Sequence, residues 1–191
     1  MNSNRDAALD AKRALKDIEA AQGRTNAFAF YDSAGPIVFV WGVIWLLANT
    51  LTYFKPQAAD MAWLTGIAAG AGFSMFFGWL AGRRNNSGSS LPKSLLAGLA
   101  IAGTILIGLN AIGLAVGVST QQQANGLISI AVATAYILMG FSRGARMMVL
   151  GVAVGAATVA GWLWMRDWFE LWMGFVGGGA LILGGVWLWR T

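Results

Sequence analysis

The sequence predicts an all-α polytopic membrane protein: six transmembrane helices preceded by an N-terminal cytoplasmic amphipathic helix. Three observations carry that prediction. Of 191 residues, 57% are hydrophobic and only 11% charged, against roughly 25% charged in soluble domains, which leaves too few charges to cover a water-facing surface. Six stretches reach the roughly 20 mostly apolar residues that a bilayer crossing needs. Lysine and arginine collect on alternate sides of those stretches, the distribution that marks cytoplasmic loops.

Residues 1–26 form the first unit. Ser3 followed by Asp6 is an N-cap signature and Gly23 a stop, so a helix is expected from Asn4 to Gln22. Ala7, Ala11, Ala14, Leu15, Ile18 and Ala21 make its apolar stripe. Its charges nearly cancel through Asn26, unlike those of a polybasic lipid anchor. A narrow, alanine-rich stripe suits contact with another helix, with Leu15 and Ile18 as the docking side chains. That helix could belong to the protein's own bundle, to a cytoplasmic partner or to a second copy in a homo-oligomer.

Residues 27–191 form the bundle. The spans run Ala34 to Phe54, Met61 to Gly82, Ser94 to Val118, Asn125 to Phe141, Met147 to Met165, and Trp168 to Trp189. Short polar joints separate them, including Lys55-Pro56-Gln57, Arg83 to Ser90, Ser119 to Gln123, Ser142 to Arg146, and Arg166-Asp167. The first span begins too late, after a charged helix, for a cleaved signal peptide. Of the lysines and arginines, only Lys55 and Arg166 fall on the side opposite the termini, which places both termini in the cytoplasm. The net charge of +5 is therefore a topology signal, and no nucleic-acid partner is expected. Most tryptophans sit near span ends, where an amphipathic indole suits the interface with membrane lipid, but Trp41 and Trp45 lie inside the first span.

Lipid solvates apolar side chains as well as a neighbouring helix does, so spans associate through small residues and interhelical hydrogen bonds. Gly66, Gly70, Ser74, Gly78 and Gly82 place one small residue at every fourth position of the second span, a helix-packing face. Trp41, Trp45, Asn49 and Thr52 recur at helical spacing on the first span. Asn110, Thr134 and Tyr136 are candidates to meet that face, forming either interhelical hydrogen bonds or a small binding cavity.

The chain contains no His and no Cys. That removes the imidazole base, the thiolate nucleophile and the usual soft metal ligands. All eight carboxylates lie in the N-terminal segment or at span borders, so none serves a mid-membrane proton relay. Arg166, Asp167 and Glu170 are expected to pair across the tight turn between the last two spans. A non-enzymatic protein without cofactor or metal follows, binding or regulating a partner through its N-terminal helix. The alternative is a transporter or channel-like protein for a small neutral or apolar molecule.

Two stretches carry a family resemblance. Phe30-Tyr31-Asp32 through Trp41-Gly42-Val43-Ile44-Trp45, after a short charged helix, and Leu171-Trp172-Met173 through Gly177-Gly178-Gly179 and Gly184-Gly185 to Trp187, resemble a group of small, uncharacterised bacterial inner-membrane proteins. Such proteins are often encoded beside winged-helix transcription regulators. The resemblance implies a bacterial inner-membrane location and a cytoplasmic protein partner, and it supplies no catalytic residues.

Overall fold

The computed structural model describes residues 3–84, 104, 107–109 and 111–190. Helix α1 (Ser3–Phe54) leads through a 3₁₀ turn (Pro56–Ala58) into α2 (Ala59–Arg84). Helices α3 (Gln121–Arg143) and α4 (Ala145–Trp164) follow, and a second 3₁₀ turn (Arg166–Trp168) leads into α5. The last helix comprises Phe169–Trp172, a π-helical stretch Met173–Gly178, and Gly179–Trp189. Among the described residues every regular element is helical. Five helical segments are long and apolar enough to cross a membrane: Ala27–Phe54, Pro56–Leu80, Gln121–Arg143, Ala145–Trp164 and Arg166–Trp189. They suit a multi-pass membrane protein and coincide with five of the six predicted spans. The remaining one, Ser94 to Val118, lies mostly outside the described residues.

Gly23 does not stop the first helix. Glycine inside a helix costs only about 1 kcal/mol relative to alanine, and α1 continues through it for 52 residues, about 78 Å at 1.5 Å per residue. Leu15 and Ile18 remain 61% and 55% exposed on this extension, so among the described residues neither packs on the protein's own bundle. Pro36 also lies inside α1, where its missing N–H removes one bond to the preceding turn.

Close backbone contact holds α1 antiparallel to α5. A Cβ added at Gly42 would lie 2.6 Å from Ile182 N and 2.8 Å from Gly178 O, and one at Gly185 would lie 2.6 Å from Phe39 N. Such contacts are the main adhesive available in lipid, where apolar burial against another helix gains little. Helices α3 and α4 use the same device at Gly151, whose added Cβ would meet Ala133 O at 2.6 Å. Leu150, packed over Gly184, and Trp172, whose Nε1 donates to Ala157 O at 2.7 Å, join α4 to α5. The second-span row faces α1 for only part of its length. Added Cβ atoms at Gly66 and Gly70 would strike Ile44 and Trp41, Ser74 Oγ accepts from Trp41 Nε1 at 3.2 Å, and Gly78 has nothing within 4 Å. Gly82 lies further along α2.

The expected Arg166–carboxylate pairing is not what forms. Among the described residues, the Arg166 guanidinium lies over the Trp162 ring at 4.8 Å, and Arg166 O accepts from Gln122 Nε2. An aromatic face in this position provides a partner without holding two long charged side chains in one geometry.

Candidate functional site

Helices α1 and α3 share the buried Asn49–Asn125 hydrogen bond and come together again where Arg143 lies over Phe30, and between these points lies a cavity of about 510 Å³. Trp41 and Trp45 from α1, Trp63 from α2, and Asn125 and Tyr136 from α3 line it. Asn49 lies behind this wall, fully buried. Its Nδ2 donates to Trp45 O at 2.9 Å, and its Oδ1 accepts from Asn125 Nδ2 at 2.5 Å. Ser129 Oγ then donates to Asn125 Oδ1 at 3.4 Å. The amide pair thus sits in a short network of neutral groups, each of which hydrogen-bonds without carrying charge.

Of the residues proposed from sequence for a polar cluster, Trp41, Trp45 and Tyr136 come together around the cavity and Asn49 supports it from behind. Asn110 falls outside the described residues. Thr134 does not join: it is exposed, and its hydroxyl donates to Ile130 O at 2.8 Å within its own helix. Asn125, Ser129 and Trp63 were not singled out. Asn125, Ser129, Val132 and Tyr136 recur at spacings of four, three and four, one helical face, but an asparagine so near a predicted span start reads as a border residue. The unassigned signal in Trp63 was equally bland, an indole near a span end.

At the opposite end of α1 the docking residues remain free of the bundle. Phe28 is also exposed, at 49%, on a different face of α1 from Leu15. Phe28 and Ala21 step back by sevens from Gly35, which lies against Gly185 and Trp189 of α5. A straight helix drifts only about 20° per seven residues, so the face covered by α5 continues uncovered beyond it.

The site's polar atoms are amides, hydroxyls and indoles, and among the described residues no three Asp, Glu, His or Cys side chains converge. Compared with known proteins, the chain matches no family model, no curated protein and no solved structure.

Proposed function

We propose that this protein is a non-enzymatic inner-membrane protein with six spans and cytoplasmic termini, which docks a cytoplasmic protein partner through its N-terminal helix. One observation carries the reading: α1 runs on past the bundle while keeping Leu15 and Ile18, one helical turn apart, exposed at 61% and 55%. Apolar side chains at helical spacing on such a projection gain most from a partner helix laid along them. The eleven lysines and arginines assigned to the same side support a cytoplasmic setting for that projection. The resemblance to inner-membrane proteins encoded beside winged-helix regulators makes such a regulator the first partner to try.

Affinity purification from native membranes tests the proposal with two variants, a deletion of residues 2–22 and Leu15→Asp with Ile18→Asp. Both should insert and survive heating in detergent like the parent, and both should lose the same co-purifying protein, because charge on the stripe must be desolvated to dock. Retention of that partner at parental affinity by both variants would overturn the reading. Reporter fusions at Thr191, Asn86 and Gln122 test the topology: the first two should report cytoplasm and the third periplasm.

The cavity favours a second reading, the lodging of a small neutral or apolar molecule. Its volume of about 510 Å³ falls within the range of roughly 300–1,000 Å³ common for ligand sites.

A further inference from the structure

A second arrangement lies at the end of the bundle where α1 enters it. Gly144, between α3 and α4, adopts φ +116°, a backbone region largely reserved for glycine. Its Cα presses against the Tyr31 hydroxyl oxygen, so that a Cβ there would collide with it. This contact docks the α3–α4 turn on α1 and brings an arginine from each flank of the turn to consecutive aromatic residues. Arg143 lies over the Phe30 ring at 5.0 Å. Arg146 lies between two rings, 5.5 Å from Tyr31 and 5.1 Å from Trp187, and its Nη1 donates to Trp187 O at 3.3 Å.

Neither guanidinium has a carboxylate within ion-pair distance among the described residues, although Asp32 adjoins Tyr31 and is itself exposed. Each guanidinium carries five N–H donors in a planar fork. Arg146 directs one of them to the Trp187 carbonyl, and the aromatic faces engage the π surface of the cations while leaving their edges available. All these residues stand near the ends of the apolar segments Ala27–Phe54, Gln121–Arg143, Ala145–Trp164 and Arg166–Trp189. In a membrane-spanning bundle that is the depth of the lipid headgroups.

We infer that Arg143 and Arg146 form a binding site for the phosphodiester headgroup of an anionic membrane lipid. Two forks without a carboxylate, held over rings whose centroids lie 6.2 Å apart, match the oxygens of a phosphate through charge-assisted hydrogen bonds. A zwitterionic headgroup fits less well, because its ammonium would need the aromatic faces that the two guanidiniums already occupy. The inference rests on the chain spanning a membrane, and it is independent of the N-terminal docking helix.

Native mass spectrometry of the full-length protein in detergent tests it, with dioleoyl phosphatidylglycerol or dioleoyl phosphatidylcholine added at equal concentration. The parent should retain the anionic lipid about tenfold more, a difference of about 1.4 kcal/mol. Arg143→Gln together with Arg146→Gln should abolish that preference. Arg83→Gln should keep it, since Arg83 stacks on Trp79 of α2 instead. Arg143→Gln alone changes an exposed side chain, and it should weaken retention even if the double variant fails to fold. Inorganic phosphate in excess should neither displace the lipid nor reproduce its protection against heating. Equal retention of both lipids by the parent, parental preference in the Arg143→Gln protein, or full replacement by inorganic phosphate would each overturn the assignment, the last in favour of a free-anion site.

Discussion

Asn125 donates from Nδ2 to Oδ1 of Asn49 at 2.5 Å, linking two helices across 76 positions of sequence in a fully buried setting. Replacing either partner with leucine leaves the other amide without its interhelical bond. Asn49→Leu and Asn125→Leu should each lower stability by about 1–2 kcal/mol. The double variant should lose much less than the two singles together, because it strands no amide. Denaturant unfolding in detergent, arranged as a double-mutant cycle, measures the coupling.

Gly42 and Gly72 offer a controlled comparison of one substitution in two environments. Gly42→Ala introduces a Cβ 2.6 Å from a backbone nitrogen of α5, which can be relieved only by separating the helices. It should destabilise the bundle by about 2 kcal/mol or more. Gly72 has nothing within 4 Å, so Gly72→Ala should be neutral or stabilising by up to about 1 kcal/mol. Thermal unfolding that lowers both proteins equally would refute the packing account.

Gly144→Ala should incur two separable penalties, the positive φ and the collision with the Tyr31 hydroxyl oxygen. The expected loss is about 2 kcal/mol or more. Adding Tyr31→Phe should recover the part due to the oxygen and leave the backbone part. Identical melting of Gly144→Ala with and without Tyr31→Phe would show that the oxygen is not the obstacle.

Two tryptophans differ in what their indole nitrogens do. Trp172 Nε1 donates to Ala157 O at 2.7 Å, whereas Trp63 Nε1 is buried without a partner among the described residues. Trp172→Phe should therefore destabilise by about 1 kcal/mol, while Trp63→Phe should be neutral or slightly stabilising, since it removes a stranded donor and keeps an aromatic ring beside the cavity. Stability of both variants in the same detergent checks the contrast.

The candidate site was partly legible before any coordinates. Trp41, Trp45 and Asn49 share one helical face whatever that helix contacts, because 3.6 residues per turn align them. Their partners were not legible. Asn125 was hidden by its position at a span border, and Trp63 looked like an interfacial indole. Nothing in the order of residues says that α1 and α3 approach at Asn49 and again at Phe30 and leave a cavity between.

By itself the sequence determined the helical class, the positions of the five described apolar spans and the two tight turns at Pro56–Ala58 and Arg166–Trp168. Those features follow from local quantities, the apolar length a bilayer demands and the turn chemistry between spans. Tertiary structure decided which small residues matter: Gly42 and Gly185 lie against backbone while Gly72 and Gly78 meet nothing among the described residues. It also decided that α1 passes through Gly23 without a break and that Arg143 and Arg146 lie against Phe30 and Tyr31. The physical reason is that lipid solvates every apolar face equally well. A helix pair in a membrane is therefore selected by close fit between surfaces distant in sequence, and periodicity along one segment carries no information about that fit.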